Sequence, residues 1–472
     1  MPETIYDVAI IGSGPGGYTA AIRAGQLGLK TALIEKDNVL GGTCLHVGCI
    51  PTKSLLFNAE IWDHLKDAKE LGIEGIDSRK LNWAAVQERK TKVVTKHAKG
   101  LEFLMRKNKV ETLRGYGRLT GPAIGGVHNI EMKDASGKAT MVKAKNVILA
   151  TGSEARMIFG LKPDDRILTN IEILNLKQIP KSLVIVGAGA VGVEFASIFK
   201  SFDTDVTIIE MLPRLVPVED EEVSKELARV YRKRGINFHT SAAVEKVEST
   251  KSGVTVTFTA EGKQQKIEAE KILIAVGRKP RTEDVGLERT KIKPERGFIQ
   301  TDSWMHTAEA GVYAIGDIVL GTPQLAHVGA MQGIVAVTKI AGKPAKPINP
   351  ERIPGATYCH PEIGSVGLTQ AKAEQLGYQV KIGKFPFTAN SRASIVGQHE
   401  GFIKIVADSE HGEILGVHII GPQATELIAE AVAAMELEVT AEDLAWTIHA
   451  HPTLSEAMLD AANSVFGMAI NA

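Results

Sequence analysis

The chain has 472 residues, more than one hydrophobic core usually serves, so several domains are expected. Lysine plus arginine and aspartate plus glutamate number 55 each, so net charge gives no reason to expect nucleic acid or an anionic membrane as a partner. No apolar run is long enough to span a bilayer, and three cysteines are too few for a disulfide scaffold.

The first predicted element is a nucleotide-binding turn between a strand and a helix. The apolar run from Val8 to Ile11 predicts a buried parallel strand. Gly12, Gly14 and Gly17 follow it, then an Ala-rich helical stretch and a second strand that closes at Glu35. In such a turn the glycines permit the bend, the approach of a pyrophosphate and close helix packing. The closing acid accepts hydrogen bonds from ribose hydroxyls.

Two of the cysteines come next, in the stretch GGTCLHVGCIPTK at residues 41–53. A zinc site could use Cys44, His46 and Cys49, and a structural disulfide would close only a very short loop. A redox disulfide beside a nucleotide-bound flavin fits better, because the flavin would accept electrons from the thiols. Lys53 follows four residues after Cys49, so a helix would place its cation on the same face, where it could stabilise a thiolate or a reduced flavin.

A near copy of the first turn lies in SLVIVGAGAVGVEFASIFKSFDTDVTIIE. Its glycines are Gly187, Gly189 and Gly192, and its closing acid is Glu210. Both copies place the acid 18 residues after the third glycine, since 35 minus 17 equals 210 minus 192. Glu210 would repel a ribose 2′-phosphate, which favours NAD over NADP. The alternative is a solvated charge at a strand end that selects nothing.

The C-terminal stretch IHAHPTLSE offers a proton acceptor for thiol chemistry. His451 precedes Glu456 by five residues, and a carboxylate that orients an imidazole raises its basicity. Two alternatives stay open. Thr453 and Glu456 have the spacing of a capping box at a helix start, and His449 is a second candidate base.

The motifs together resemble the flavoprotein disulfide reductases, the class I pyridine nucleotide-disulfide oxidoreductases. GGTCLHVGCIPTK is similar to the redox motif of that family, and KFPFTANSRA, GVHIIGP and HAHPTLSE extend the resemblance over essentially the full chain. The sequence departs from the usual pattern at His46, where Asn is more common, and at Cys359, where Thr is more familiar. We interpret Cys359 as a buried core thiol.

The resemblance implies an α/β fold with two Rossmann-like nucleotide-binding domains, for FAD and NAD, and a C-terminal α+β dimerisation domain. The implied division is an FAD-binding domain with the redox disulfide at 1–149, an NAD-binding domain at 150–279, a central segment that returns to the FAD domain at 280–349, and a dimerisation domain at 350–472.

The resemblance also implies roles for individual residues. Cys44 would exchange with the substrate, Cys49 would stack against the flavin, and Lys53 would pair with Glu194 near the flavin N5. His451, oriented by Glu456, would be the acid–base catalyst in the active site of the other subunit. Residues expected to line FAD, besides the first turn, are Gly117, Thr151, Gly152, Ser153, Asp317, Ala326 and His327. Residues expected along NAD, besides the second turn, are Val244 and Gly277.

The implied activity is NAD⁺-dependent oxidation of protein-bound dihydrolipoamide in a 2-oxoacid dehydrogenase or glycine cleavage system. The alternatives are an NAD(P)H-dependent reductase of another disulfide such as glutathione, or a docking or redox-sensing subunit. The expected partners are a second copy of the chain and lipoyl-bearing protein domains, with no nucleic acid, membrane or metal. A cytoplasmic location is expected, or the mitochondrial matrix if a transit peptide was removed.

Overall fold

A computed structural model describes residues 4–250 and 252–471 of the chain. The strands within these residues are β1 (Ile5–Ile11), β2 (Thr31–Glu35), β3 (Glu111–Arg114), β4 (Tyr116–Leu119), β5 (His128–Lys133), β6 (Ala139–Leu149), β7 (Ser153–Ala155), β8 (Ile167–Leu168), β9 (Ser182–Val186), β10 (Asp205–Ile209), β11 (Asn237–His239), β12 (Ala243–Ser249), β13 (Val254–Ala260), β14 (Lys263–Ala269), β15 (Lys271–Ile274), β16 (Arg278–Pro280), β17 (Val312–Ala314), β18 (Gly355–Thr357), β19 (Glu362–Gly367), β20 (Val380–Pro386), β21 (Phe402–Asp408) and β22 (Ile414–Gly421). The α-helices are α1 (Pro15–Gln26), α2 (Gly42–Val47), α3 (Cys49–Lys66), α4 (Trp83–Lys107), α5 (Asn170–Leu174), α6 (Ala190–Ser201), α7 (Glu221–Lys233), α8 (Ala326–Ile340), α9 (Gln370–Gln375), α10 (Ser391–Val396), α11 (Ala424–Glu436), α12 (Ala441–Ala445) and α13 (Glu456–Ser464).

The chain folds into two compact units, each built from separate stretches of sequence. The first unit comprises the chain up to Ser54, Ala84–Arg156 and Arg278–Ile348. The second comprises Leu55–Trp83, Met157–Gly277 and the chain from Asn349 onward. The implied division into an FAD-binding domain (1–149 with the returning segment 280–349), an NAD-binding domain (150–279) and a dimerisation domain (350–472) stays a prediction.

A mixed sheet organises the first unit. Strands β3, β2, β1 and β6 run parallel, and β17 pairs in parallel with the end of β6. Strand β1 is apolar on both faces because each face packs into an apolar cluster, and Val8, Ala9 and Ile10 are fully buried. Helices α1 and α8 cover the face of Val8 and Ile10, whereas residues of strands and loops cover the face of Ala9. Helix α8 approaches α1 closely through small residues: a Cβ added to Gly333 would lie 2.7 Å from the Gly16 carbonyl oxygen. This packing fixes the start of α1, where the first glycine turn lies.

The second unit contains a parallel sheet and a separate antiparallel sheet. Strands β11, β10, β9, β15 and β8 form the parallel sheet. Strands β12, β13 and β14 form a three-stranded sheet of their own in the same unit. The C-terminal part forms the antiparallel sheet β18–β19–β22–β21–β20, whose core is completed by apolar faces of α11 and α13. The parallel sheets around each glycine turn and the antiparallel C-terminal sheet agree with the predicted α/β class.

Two features of the described chain bear on the sequence predictions directly. The strand predicted from Val8 to Ile11 begins earlier, at Ile5, because Ile5 and Tyr6 continue the parallel pairing with β6. Among residues 4–250 and 252–471, none of the helices combines the length and the apolarity that crossing a membrane requires.

Candidate active site

The first glycine turn adopts a conformation that only glycine accommodates easily. Gly12 has a φ of +104°, and a Cβ there would lie 2.3 Å from the Ala150 carbonyl oxygen. A Cβ on Gly17 would lie 1.9 Å from the Gly12 carbonyl oxygen. Gly14 differs, because no atom lies within 4 Å of the position of its Cβ. The first and third glycines therefore serve the fold, while the second leaves open space at the start of α1.

The second glycine turn repeats this geometry. Gly187 has a φ of +103°, and a Cβ there would lie 2.4 Å from the Ala275 carbonyl oxygen. A Cβ on Gly192 would lie 2.0 Å from the Gly187 carbonyl oxygen, and Gly189 again faces open space. The predicted duplication therefore extends to the backbone of both turns.

The acids that close the two turns are buried and bound in the same way. Glu35 accepts a hydrogen bond from the Ser13 N–H at 2.8 Å, and Glu210 accepts one from the Ala188 N–H at 2.6 Å. The second oxygen of each carboxylate accepts a further N–H, from Asp37 or from Leu212, at 2.8 Å. Each carboxylate is thus held beside its own turn, with lone pairs left for ribose hydroxyls.

These observations meet the requirements of a dinucleotide at each turn. The open space at Gly14 and Gly189 lies at the N-termini of α1 and α6, where free N–H groups and the helix dipole favour phosphate. No side chain caps the N-terminus of α1 or of α6, so backbone N–H groups at the start of each helix remain available for a ligand.

The cysteine pair lies on two short connected elements next to the first turn. Cys44 is on α2, Cys49 is the first residue of α3, and neither forms a disulfide in the structure. A Cβ on Gly42 would lie 2.8 Å from the Cα of Gly14, so the cysteine segment touches the nucleotide turn itself. A hydrogen bond to Cys49 and burial raise the pKa of the Cys44 thiol well above its ordinary value. The arrangement therefore disfavours a thiolate at Cys44 while Cys49 lies beside it.

Two neighbours of the cysteines answer questions that the sequence left open. The His46 Nε2 lies 2.8 Å from the Leu40 carbonyl oxygen, so this ring nitrogen is engaged by the backbone. The described part of the chain contains no group of three or more His, Cys, Asp and Glu residues that could hold a metal ion. Lys53 follows Cys49 by one turn of α3, as predicted, and its charge acts to lower the pKa of Cys44.

The other residues predicted to line FAD lie in three turns of the first unit. The Thr151 hydroxyl donates to the Arg281 carbonyl oxygen at 2.5 Å, and Gly152 has a φ of +71° that suits glycine. The Ser153 hydroxyl donates to Asp317, which lies in the turn Gly316–Ile318. Ala326 and the exposed His327 begin α8.

Gly117 has a packing reason to be glycine. It lies on β4, where a Cβ would come within 3.1 Å of the Ile34 side chain and 3.3 Å of the Ile11 side chain. Close packing against β1 and β2 therefore accounts for this residue, and its contact with FAD stays a prediction.

The residues predicted near NAD, namely Glu194, Val244 and Gly277, lie in the second unit. Glu194 is buried on α6, where its Oε1 accepts a hydrogen bond from the Tyr358 N–H at 2.9 Å. Val244 is the second residue of β12 and lies next to a bulge, and Gly277 has a φ of +101° with open space at its Cβ position. The open space at Gly277 matches that at Gly189.

The two C-terminal histidines differ sharply in their surroundings. His451 has a side chain that is 71% exposed, and its Nδ1 lies 2.9 Å from Glu456 Oε1. His449 has a side chain that is only 6% exposed, and its Nε2 lies 2.6 Å from Glu430 Oε1. The remaining Nε2 of His451 faces outward, whereas both ring nitrogens of His449 are engaged, since Nδ1 lies 2.9 Å from the Thr447 carbonyl oxygen. This geometry favours His451 over His449 as the base.

Glu456 holds both the histidine and the chain that leads into α13. Its Oε2 accepts the Thr453 N–H at 2.8 Å while Oε1 meets His451. Although burial opposes the change, the Thr453 N–H and His451 hold the pKa of Glu456 below its ordinary value. The capping-box alternative is wrong in its strict form, because the helix begins at Glu456 itself and the Thr453 hydroxyl donates to the Ala450 carbonyl oxygen.

Comparison with known proteins decides the family. The pyridine nucleotide-disulphide oxidoreductase profile matches residues 6–333, and the dimerisation domain of the same family matches residues 353–462. The chain belongs to the pyridine nucleotide-disulphide oxidoreductase family. Among its relatives, the dihydrolipoyl dehydrogenase of Bacillus subtilis is 45% identical, and the alignment covers 99% of each chain. The dihydrolipoyl dehydrogenase of Rhizobium etli is 43% identical with the same coverage.

Solved structures give the same picture. LpdA from Mycobacterium tuberculosis superposes with a TM-score of 0.89 at 28% identity, covering 97% of this chain and 98% of that one. The HOCl-induced flavoprotein disulfide reductase RclA from Escherichia coli, in its Cu(II) complex, superposes with a TM-score of 0.86 at 25% identity, covering 98% and 99%. The predicted fold class and the prediction of an FAD- and NAD-dependent oxidoreductase are confirmed.

Three residues at the site have contacts that the sequence analysis missed. Glu430 pairs with His449, Tyr358 donates its N–H to Glu194, and Arg278 donates to the Ser153 hydroxyl at 2.6 Å. None of the three stands at a recognisable spacing from its partner. Only the motif GRKP, with Gly277 and Arg278 after a predicted strand, could have drawn attention to Arg278.

Proposed function

We propose that the chain oxidises protein-bound dihydrolipoamide to lipoamide and transfers the two electrons to NAD⁺. The observation that carries the proposal is the contact between the cysteine segment and the first of two equivalent nucleotide turns. The thiols lie against one nucleotide site, and the chain has a second nucleotide site. Together they provide a route for electrons from a dithiol to a pyridine nucleotide. The relatives named dihydrolipoyl dehydrogenase support the dithiol as substrate.

In the proposed reaction Cys44 and Cys49 begin as a disulfide. One substrate thiolate attacks the Cys44 sulfur, the Cys44–Cys49 bond breaks, and Cys49 leaves with the electron pair as a thiolate. The second substrate thiol loses its proton and attacks the first substrate sulfur, so that lipoamide leaves and Cys44 recovers its electron pair. The two cysteines are then reduced, and the substrate disulfide has been formed at their expense.

The electrostatics of the reduced pair support a division of labour between the two sulfurs. Hydrogen bonding to Cys49 and burial raise the pKa of Cys44. This direction is consistent with a negative charge on Cys49, the sulfur that leaves as a thiolate in the proposed reaction. Cys49 is then the electron-rich sulfur, and Lys53 one turn away provides a compensating cation. Gly14, Glu35 and Asp317 would hold FAD, which would supply the two-electron redox chemistry that links the thiol pair to NAD⁺. Lys53 and Glu194 are the side chains proposed to act on its reacting atoms.

His451 accepts the proton from the substrate thiol in this proposal. Its Nδ1 is fixed by Glu456, which leaves Nε2 to take the proton. Because its own segment is exposed, we propose that it acts at the thiol pair of the second subunit of a homodimer. The neighbouring side chains of Trp446 and Ile448 are 82% and 96% exposed, as expected for residues that a partner subunit covers.

The second nucleotide site selects NAD in this proposal. The Glu210 carboxylate, held by two backbone N–H groups, would meet a 2′-phosphate with like charge. The alternative of a glutathione reductase driven by NADPH is therefore not favoured. Lipoyl-bearing domains of a multienzyme complex are the proposed protein partners, in either a 2-oxoacid dehydrogenase or a glycine cleavage system.

An anaerobic steady-state comparison of two substrate pairs tests the proposal. We expect rapid turnover with dihydrolipoamide and NAD⁺, and turnover at least 100-fold slower with NADPH and glutathione disulfide. Faster reduction of glutathione disulfide would contradict the proposal. Free lipoamide and a lipoylated domain should be compared at equal concentration, because a lower KM for the domain would support the protein partner.

A further inference from the structure

One face of helix α6 carries three buried polar side chains. Glu194, Ser197 and Ser201 are 4%, 2% and 3% exposed, whereas Phe195 and Phe199 beside them belong to the apolar interior. The spacing of three and then four residues places the polar side chains on one face. Buried polar groups of this kind need partners, and those partners show what the face does.

Glu194 is oriented by a backbone group from another part of the second unit. The Tyr358 N–H donates to Glu194 Oε1 at 2.9 Å. Hydrogen bonds to a carboxylate are short and directional, so this one fixes the plane of the Glu194 side chain. Tyr358 follows the end of β18 and lies in the irregular connection to β19, where no strand pairing holds the backbone.

The connection is held instead at His360, two residues after Tyr358, where the side chains of Ser197 and Arg234 bind the backbone. The His360 N–H donates to Ser197 Oγ at 3.0 Å. Arg234 Nη1 donates to Ser197 Oγ at 2.8 Å and to the His360 carbonyl oxygen at 3.0 Å. Both backbone groups of His360 are therefore fixed by the same two side chains.

Arg234 is itself fixed on its other side. Its Nη2 lies 3.1 Å from Asp63 Oδ2 and 3.0 Å from Ser201 Oγ. The His360 imidazole adds no competing charge, since burial and the nearby Arg234 lower its pKa to about 4. The resulting chain of contacts runs from Asp63 through Arg234 and His360 to the N–H that meets Glu194.

We infer that Ser197 and Arg234 are positioning residues for Glu194, acting through the backbone of Tyr358–His360. This inference rests on the proposed function, which places Glu194 beside the site of hydride transfer. It adds that the geometry of the carboxylate depends on a serine one turn along the same helix and on an arginine of α7's C-terminal end, neither of which touches a nucleotide in this account.

Ser201 provides the matched control. It lies on the same face of α6, is equally buried and also binds Arg234, but it makes no hydrogen bond to the Tyr358–His360 backbone. Ser201→Ala therefore reproduces the loss of a buried hydroxyl next to Arg234 without releasing His360. Arg234→Lys is the second variant, since it keeps the positive charge beside Asp63 but loses the fork that binds two groups at once.

The first measurement is hydrogen exchange of the peptide that contains residues 355–361, followed by mass spectrometry on the FAD-loaded enzyme. We expect Ser197→Ala to speed exchange of the Tyr358 and His360 amides at least tenfold over wild type, with Ser201→Ala close to wild type. Equal protection in the two variants would overturn the inference whatever the activity of the enzymes.

The second measurement is anaerobic reduction of the flavin by NADH in a stopped-flow instrument. We expect Ser197→Ala and Arg234→Lys to slow reduction about 10- to 100-fold, which is the range for a small displacement of an active-site group. Deuteration at the nicotinamide C4 should slow the variants by a larger factor than wild type. A double-mutant cycle adds Ser197→Ala to Glu194→Gln, and we expect no further loss there.

The outcomes separate this inference from the function on which it rests. If Glu194→Gln reduces flavin at the wild-type rate, the proposed role of Glu194 is wrong. If Glu194→Gln is slow while Ser197→Ala and Arg234→Lys match Ser201→Ala, only the positioning role is wrong. A full additive loss in the double variant would also overturn it, because Ser197 would then act independently of Glu194.

Discussion

The two glycine turns have nearly the same backbone but very different surroundings. Gly12 and Gly187 share φ values of +104° and +103°, and their closing acids bind equivalent N–H groups. The first turn is covered within its unit: a Cβ on Gly16 would lie 3.0 Å from the Gly329 carbonyl oxygen, and Gly42 meets Gly14. Around the second turn Val191 is 40% exposed.

The loop after Glu210 is also open to solvent, with Met211 71% exposed and Val218 84% exposed. The difference shows that the same strand–turn–helix unit can serve two purposes, depending on which residues pack against it. An enclosed turn beside a thiol pair suits a cofactor that stays bound. An open turn suits a nucleotide that enters and leaves in every cycle.

The largest expected effect is common to both turns and tests their equivalence. Gly17→Ala and Gly192→Ala would each bring a Cβ within 2.0 Å of a backbone carbonyl oxygen. Because neither backbone can yield without distorting its strand–helix junction, we expect each change to cost about 3 kcal/mol or more, or to abolish folding. Chemical denaturation and soluble yield provide the measurement. Tolerance of one substitution and not the other would show that the turns are not equivalent.

The next prediction separates the thiol side of the reaction from the nucleotide side. His451→Gln should slow dithiol oxidation about 100- to 10,000-fold, the usual contribution of a general base. Electron flow from NADH to an artificial acceptor should change little, since that route bypasses the substrate thiols. Equal losses in both assays would rule out His451 as the base.

His449→Gln is the matched control for His451→Gln, and it carries a pH dependence. The hydrogen bond to Glu430 raises the pKa of His449, so its stabilising contribution is fully present below the ordinary histidine pKa. That contribution is lost as pH rises through the raised value. We therefore expect His449→Gln to lower stability most in mildly acidic buffer and least in alkaline buffer, as measured by thermal unfolding. The opposite trend would contradict the pairing with Glu430.

Substitution of the second glycine in each turn should distinguish a resident from an exchanging nucleotide. Gly14→Ala and Gly189→Ala meet no protein atom within 4 Å, so stability of the apoprotein should change by less than about 1 kcal/mol. Gly14→Ala should yield enzyme depleted of flavin, while Gly189→Ala should retain the flavin spectrum and raise KM for NAD⁺ about tenfold. Loss of flavin from Gly189→Ala would reverse the assignment of the two sites.

The smallest expected effect concerns nucleotide choice. Glu210→Gln removes the charge that opposes a 2′-phosphate but keeps an oxygen for the Ala188 N–H. We expect the preference for NAD⁺ over NADP⁺, measured as a ratio of kcat/KM values, to fall about tenfold. A ratio that does not change would support the alternative in which Glu210 is a strand-end charge without a selective role.

Local spacing predicted those parts of the site that local backbone geometry forms. Gly12 to Glu35 and Gly187 to Glu210 lie within single βαβ units, and Lys53 lies one helical turn from Cys49, so the sequence contains their geometry. The capping-box alternative failed at Thr453 because its hydroxyl donates to the Ala450 carbonyl oxygen and the helix begins only at Glu456.

Contacts made by tertiary folding could not be predicted in this way. Tyr358 is 164 residues from Glu194 and contributes a backbone N–H, which any residue but proline has. Glu430 meets His449 across 19 residues without a recognisable motif. The packing of Gly117 against Ile34 is another contact of this kind, and the contact of Gly117 with FAD stays a prediction. Such residues become visible only when the packing is known.

The division of labour between the two cysteines is the central claim, and the absorbance of the single-serine variants tests it most directly. In the FAD-loaded enzyme, Cys44→Ser should keep a long-wavelength band from the Cys49 thiolate beside the flavin. Cys49→Ser should lose that band while its Cys44 thiol is still present. A band that persists in Cys49→Ser and disappears in Cys44→Ser would contradict the account and exchange the roles of the two sulfurs.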